Sequence, residues 1–276
     1  MRNLIIGHNG YIGKKILASI NEDQAIFFER KDLDLLNLEK INYCFKKLKN
    51  ERIRIIYLAA INRTTADTEI AFHKNILMVK NFIEASSKLN IENLVYASTV
   101  DVYGDNNNII NEKTLINPKT GYGLSKFCCE QLLRNNAVYP ISILRLPGIY
   151  GNFPGDKSLI GQFIKLVEND AEICINGNGE ILRDYLNLDD LVRILYKILD
   201  LNYNGILNIA SGKSLSIKKI LTLIYKYQNK VEKIKFVKKD SRHFDLRFEN
   251  SELIELIGDY KFKDLELGIG DYFKVE

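Results

Sequence analysis

Asn3-Leu4-Ile5-Ile6-Gly7-His8-Asn9-Gly10-Tyr11-Ile12-Gly13 is the stretch on which the reading of the fold turns. A short apolar run ends in glycine, and apolar residues then recur at helical spacing over residues 11–20, so a strand, a tight loop and a helix are expected. Glycines at 7, 10 and 13 let the backbone turn sharply, approach a pyrophosphate closely and pack the helix on the strand. The phosphates would then lie at a helix N-terminus, where N–H groups and the helix dipole favour negative charge. In this context Gly7, Asn9, Gly10, Tyr11, Ile12 and Gly13 read as a dinucleotide-binding loop rather than a structural turn.

Outward from that loop the pattern repeats. Short apolar runs at Ala25–Phe28, Ile53–Leu58, Leu94–Ala97 and Ile141–Leu146 read as strands, with helical spacing at 70–89 and 125–134 between them. Apolar runs without strict alternation point to an α/β fold, a doubly wound parallel sheet covered on both faces. After residue 150 turn clusters appear, Gly151–Gly155 and Asn176–Gly179, with helices expected at 158–168, 188–200, 216–227 and 251–257 and strands at 205–209 and 233–239. The expected division is a dinucleotide-binding domain over 1–150 with about 185–210, and a smaller C-terminal substrate-binding lobe over about 151–184 and 211–276.

Composition narrows the class. The 276 residues carry 39 Lys+Arg against 35 Asp+Glu, a net charge of +4, with 46% hydrophobic residues. That balance supplies a core and gives no reason to expect nucleic acid. The four cysteines lack zinc or Cys-x-x-Cys spacing and read as buried free thiols; no metal site is expected. Neither an export signal nor a membrane-length apolar run is read, so a cytoplasmic protein without membrane partners is expected.

Two clusters bear on chemistry. After the second strand come Glu29, Arg30 and Lys31, where a carboxylate would take the ribose hydroxyls of NAD and the cations would pair with the extra phosphate of NADP; NADP(H) is slightly favoured, with NAD(H) open. Tyr-x-x-x-Lys sets a phenol and an ammonium one helical turn apart, and the ammonium would lower the phenol's pKa for proton exchange with a substrate. The spacing occurs at Tyr11/Lys15, Tyr43/Lys47 and Tyr122/Lys126. Context selects the last, at a helix start following the strand that runs into Ser98-Thr99.

The ordered set Gly7-x-x-Gly10-x-x-Gly13, Leu58-Ala59-Ala60, Ser98-Thr99-x-x-x-Tyr103-Gly104, Tyr122-x-x-x-Lys126 and Arg183-Asp184-Tyr185-Leu186-Asn187-Leu188-Asp189-Asp190 resembles the extended short-chain dehydrogenase/reductase family. Within it the chain is similar to the NAD(P)-dependent epimerases, dehydratases and reductases of nucleotide-activated sugars, proteins with a Rossmann-type sheet. The resemblance implies Thr99, Tyr122 and Lys126 as catalytic residues, Thr99 bonding the sugar oxygen, Tyr122 acting as acid/base and Lys126 holding the nicotinamide ribose. It implies cofactor contacts from Asp34, Leu35, Leu58, Ala59 and Ala60, with Asn75 in support. Arg183 and Arg242 match substrate diphosphate arginines, although Arg183 could instead pair with Asp189 or Asp190 and Arg242 could be a surface charge. A homodimer through helices at about 75–89 and 122–136 is also implied.

Two departures stand out. Val100-Asp101 lacks the first carboxylate of the Asp-Glu pair that the family's 4,6-dehydratases carry after the catalytic Thr, which disfavours dehydration. Gly148 replaces an asparagine that touches substrate phosphate in relatives, with Asn152 a candidate substitute. The short chain and the compact Arg30–Asp34 segment resemble the reductases, so a nucleotide-sugar 4-ketoreductase is expected. The alternatives are a 4-epimerase that keeps its NAD bound and a non-catalytic dinucleotide sensor.

Overall fold

β1 (Arg2–Ile6) is buried from Asn3 onward, as a strand covered on both faces must be. The computed structural model describes residues 1–106, 108–237 and 244–274. After β1 come α1 (Tyr11–Ser19), β2 (Ala25–Ile26), α2 (Leu38–Lys46), β3 (Arg52–Tyr57), α3 (Glu69–Ser86) and β4 (Asn90–Thr99). β5 (Ile109–Ile110), α4 (Gly121–Asn136), β6 (Ile141–Leu146), β7 (Gly148–Tyr150), α5 (Leu159–Glu168), β8 (Ile173–Asn176) and β9 (Leu182–Asn187) follow. α6 (Leu188–Asp200), β10 (Gly205–Asn208), β11 (Ser214–Ser216), α7 (Ile217–Gln228), β12 (Ile234–Val237), β13 (Arg247–Phe248), α8 (Ser251–Ile257) and α9 (Leu265–Gly270) complete the order.

The main sheet runs β10-β6-β4-β3-β1-β2. β2 and β3 flank β1, both parallel to it, and β4 is parallel to β3. The chain thus winds from β1 to one side for β2 and to the other from β3 on, the doubly wound α/β arrangement expected. Such a sheet opens a crevice where the winding reverses, at the carboxyl ends of β1 and β3. Ile6 pairs with Tyr57 there, so the loops beginning at Gly7 and Leu58 start side by side.

Two compact units divide the chain. The first comprises Met1–Gly104, Leu115–Arg145 and Ile194–Leu207, the second Asp105–Thr114, Leu146–Arg193 and Asn208–Glu276. Residues 105–114, 146–150, 185–193 and 208–210, expected with the nucleotide-binding part, fall in the second unit. The reason is local pairing: β5 lies parallel to β13, and β9 is the middle strand of the sheet β11-β9-β7. The first unit's core gathers Leu4, Ile55, Phe82, Leu94 and Leu133, with Tyr57 edge-on to Phe82 at 5.1 Å. In the second unit α5 and α7 bury Ile160, Phe163, Ile220 and Ile224 around Tyr150. Among the described residues no helix is long and apolar enough to cross a membrane.

Some expectations need correction. The second strand stops at Ile26, because Phe27 turns out, nearly half exposed, with its ring 4.8 Å from that of His8. Of the four free thiols only Cys44 and Cys129 are buried; Cys174 is exposed, on the outward side of two-stranded β8. The strand expected over 233–239 is described over Ile234–Val237, and residues 238 and 239 lie outside the described residues.

Deep in the first unit lies an ion pair that neither hydropathy nor spacing announces. Arg145 on β6 sends Nε and Nη2 to the two oxygens of Glu130 on α4, at 3.1 and 2.7 Å, and Nη1 to the Tyr103 hydroxyl at 2.9 Å. Ser98 Oγ also donates to Glu130. Both charged side chains are buried. Taking one partner away leaves the other charge in the interior, at a cost of about 3–5 kcal/mol, whereas removing both together is nearly neutral. Arg145→Met and Glu130→Leu should each lower the unfolding free energy read by urea titration by that order, and the double variant should recover most of the loss.

Candidate active site

The glycine loop is shaped by what a side chain would strike. Gly7 has φ +93°, and a Cβ there would lie 2.8 Å from the Ala59 backbone N; at Gly13 it would lie 2.5 Å from the Gly7 carbonyl oxygen. Bare backbone is therefore needed for β1, α1 and the loop after β3 to close on one another. α1 starts at Gly10 without a side-chain cap and without an acidic residue in its first turn, so its positive end is left for an anion. Beside it lies a cavity of about 350 Å³, lined by Gly7, Asn9, Gly10, Arg30, Asp34, Leu35, Leu58, Ala59 and Ala60. A glycine cradle, an uncapped helix start and a largely apolar cleft at the switch point fit a dinucleotide.

Tyr11, Ile12, Gly13, Glu29, Lys31, Asn75 and Lys126 stand outside that lining. Glu29 Oε2 accepts from Asn9 Nδ2 at 3.4 Å and Oε1 lies 3.5 Å from His8 Nε2, so the carboxylate faces the glycine loop. Lys31 is exposed, and its carbonyl accepts from Lys40 Nζ. Asp34 Oδ1 turns the chain by accepting from Leu36 N. Asn75 is buried and acts from behind: it bonds both backbone groups of Ile61, at 2.8 and 3.0 Å, and the Ser125 hydroxyl at 3.2 Å. It therefore ties the loop after β3 to α4. Sequence reasoning missed Phe28, Leu33, Ile61, Lys74 and Met78, which also line the cavity. The only sequence signal for the last two is their four-residue spacing on α3, which puts them on one face.

Thr99, Tyr122 and Lys126 all belong to the first unit. Thr99 ends β4, buried, and its Oγ1 accepts from Asp101 N at 3.2 Å. Thr120 caps α4 by accepting from Gly123 N, which sets Tyr122 in the first turn, half-buried, with its own N–H given to Asp67 Oδ1 at 2.8 Å. Lys126 is buried, its Nζ 4.0 Å from the centre of the Tyr96 ring. By contrast Tyr43 is exposed, with Lys47 over its ring, an ordinary surface pair.

The electrostatics differ from the expectation that Lys126 acidifies the phenol. Burial pushes Tyr122 well above the usual phenol range, Asp101 pushes the same way, and the cation drawing it down is Arg63. Burial also pulls Lys126 down to about 8, opposed by Cys129 and Glu130. In this arrangement the tyrosine holds its proton at neutral pH.

In the second unit, Arg183 Nη1 donates to the carbonyls of Leu182 and Phe244, at 2.8 and 2.6 Å, and its guanidinium lies 5.3 Å from the Phe244 ring. Asp190 takes the Tyr260 hydroxyl and Lys263 N–H, and Lys263 Nζ reaches Asp189. Asn152 Nδ2 is given to the Asp271 carbonyl, which ties it to the C-terminal turn. Gly148 has a steric cause, since a Cβ there would sit 2.6 Å from the Tyr185 ring. Arg242 lies outside the described residues.

Lys126 gives a stability test. Its folded-state pKa lies below the unfolded value, so between about 8 and 10.5 the unfolded chain binds more protons and stability rises with pH. Lys126→Met should therefore be more stable than the parent at pH 7, by on the order of 1–3 kcal/mol. That advantage should shrink toward pH 10, as read by urea unfolding at each pH.

Similarity to known proteins agrees with the geometry. The chain is 32% identical over 234 residues, 80% of its length and 71% of the other's, to the "Putative UDP-glucose 4-epimerase" of Methanocaldococcus jannaschii. It is 24% identical to the GDP-6-deoxy-D-talose 4-dehydrogenase of Aggregatibacter actinomycetemcomitans, covering 99% of this chain and 97% of that one. The solved structure of UDP-glucuronic acid 4-epimerase from Bacillus cereus, in complex with UDP-glucuronic acid and NAD, shares the fold with a TM-score of 0.84 at 23% identity, over 99% of this chain and 98% of that one. Residues 3–210 match the model of one family, and the chain accordingly belongs to the NAD dependent epimerase/dehydratase family.

Proposed function

We propose that this enzyme is a nucleotide-sugar 4-ketoreductase using NADP(H), working in surface-polysaccharide sugar biosynthesis. The observation that carries the reading is the placement of Thr99 and Tyr122: Thr99 Oγ1 holds the Asp101 N–H, and Asp101 is pressed against Gly123, the neighbour of Tyr122 in the first turn of α4. Reduction of a ketone needs a proton donor at the carbonyl oxygen, and a tyrosine phenol carries its proton at neutral pH. A bound nicotinamide supplies the hydride. Thr99 would hold the substrate oxygen, Tyr122 would deliver its proton there, and Lys126 would hold the nicotinamide ribose. Arg183, with Asn152 and Arg242, is the proposed grip on the substrate diphosphate, by resemblance. NADP(H) is supported by Arg30, which lines the cavity, while Glu29 is engaged by Asn9 and His8. Exposed Ile70 and Leu77 on α3 and Leu124 on α4 support a homodimer through these helices, and four free thiols suit a reducing cytoplasm.

A second reading, a 4-epimerase that oxidises and re-reduces one substrate on a retained cofactor, is favoured by the name of the M. jannaschii relative. Gel filtration separates the two: exchangeable NADPH supports the reductase, and NAD retained in equal amount with the protein supports the epimerase.

On a panel of keto-sugar nucleotides, Tyr122→Phe should lower kcat by about 10²–10⁴-fold while dinucleotide affinity, read by fluorescence titration, stays within about twofold. No turnover by either with the dinucleotide still bound would point to a sensor, and equal turnover by both would remove Tyr122 as the proton donor. Arg30→Ala should weaken NADPH binding by about tenfold or more and leave NADH nearly unchanged, because only the 2′-phosphate loses a charged partner.

A further inference from the structure

The first turn of α4, which carries Tyr122, is held from outside its own helix. An α-helix leaves its first N–H groups without a carbonyl partner inside the helix. Thr120 Oγ1 takes the one at Gly123, at 2.9 Å, and the Thr120 carbonyl takes the one at Leu124, at 3.0 Å. The N–H of Tyr122 goes instead to Asp67 Oδ1 at 2.8 Å, a carboxylate 55 residues earlier in the chain, in the loop after β3. A carboxylate at this end of a helix also meets the positive end of its dipole. Gly121 leaves room for it, since a Cβ there would lie 3.1 Å from the same oxygen.

Asp67 is itself fixed on both sides. Before it, Asn62 closes a turn, its Oδ1 accepting from Thr65 N at 2.9 Å and its carbonyl from Ala66 N at 3.0 Å. After it, Thr68 caps α3 by accepting from Ala71 N at 3.2 Å. At the start of the loop Asn75 holds the Ile61 backbone, and Leu58, Ala59, Ala60 and Ile61 line the cavity beside α1. We propose that Asp67 is a positioning residue that sets Tyr122, through its backbone N–H, against the loop along which the dinucleotide would lie. This rests on Tyr122 as the proton donor and deepens that reading by naming what places the phenol. The helix alone supplies only rise and rotation. The bond to Asp67 ties the first turn to a second element, so that the proton donor and the hydride donor are registered on one stretch of chain. Removing that bond leaves the glycine loop and the Asn75 tether in place, so the cost falls on the proton step rather than on dinucleotide binding.

Amide hydrogen exchange of protein labelled with ¹⁵N-tyrosine reads the bond with no substrate or dinucleotide, and Tyr122→Phe assigns the signal. The Tyr122 amide should exchange about tenfold faster or more in Asp67→Ala than in the parent. In Asp67→Asn, which keeps an oxygen acceptor, it should stay within about threefold. On the keto-sugar nucleotides, Asp67→Ala should lower kcat by about tenfold to 10²-fold while KM and dinucleotide affinity stay within about twofold. Asp67→Asn should recover most of that loss. Exchange at Tyr122 that Asp67→Ala leaves unchanged overturns the proposal. So does an unchanged kcat beside faster exchange, the result expected of a cap that serves stability alone, or a dinucleotide affinity that falls as far as kcat. Asp67→Ser, shorter by one bond, makes the same measurements if Asp67→Ala does not fold. If the parent reduces no keto-sugar, the reductase reading fails and the same split is read in 4-epimerisation of nucleotide sugars. A parent that performs neither reaction has no proton step to position, and both readings fall.

Discussion

Three charged side chains, Lys126, Glu130 and Arg145, lie in the interior of the first unit, where an ion without partners costs several kcal/mol. The solution adopted is a chain of partners. Arg145 and Glu130 meet through two hydrogen bonds, Tyr103 and Ser98 take the remaining directions, and the Lys126 ammonium lies on the face of Tyr96 one helical turn before Glu130. Because α4 carries both Lys126 and Glu130 while β6 carries Arg145, the pair fixes the helix against the sheet. Ser98 carries the same constraint to the end of β4, where Thr99 stands. The positions of the three catalytic candidates are therefore set together by burial of charge, rather than by three separate local contacts.

Asn75 extends this constraint to the cofactor side. One amide reaches the Ile61 backbone in the loop beyond Ala59-Ala60 and the Ser125 hydroxyl on α4. The loop that lines the cavity beside α1 and the helix that carries Tyr122 are consequently held by one buried side chain. A shift in either would break hydrogen bonds with no water at hand to replace them.

The sheet was legible because buried parallel strands are continuous apolar runs and because Gly7 to Gly13 can close only without side chains. The same logic fails in the second unit, where β5, β7, β11 and β13 have two or three residues each, too few for any period to show. Tyr122/Lys126 was legible only by context, since the bare spacing recurs at Tyr43/Lys47 on a solvated helix face. What the lysine does to the phenol was not legible at all. Helical spacing sets the two residues on one face, but the Tyr96 ring, delivered by β4, draws the ammonium to itself. Arg63, Lys74 and Met78 escaped notice for a like reason. Their neighbours come from other elements, and nothing in their own stretches of sequence marks them.

The Tyr122 proton matters to a reductase and to an epimerase alike. An epimerase has to take a proton from a hydroxyl before it returns one, so its phenol must spend time ionised. A reductase gives one up first and must regain it before the next turnover. A half-buried phenol beside a carboxylate, with its cationic counterweight out in solvent, is costly to ionise, and every added low-dielectric contact raises that cost. Binding of a dinucleotide and a sugar would exclude more water and add such contacts, while an oxidised nicotinamide would bring a positive charge that lowers the cost again. The cost of ionising Tyr122 would therefore depend on the charge of the ring held beside it, and Thr99 and Lys126 would face the same phenol in either case.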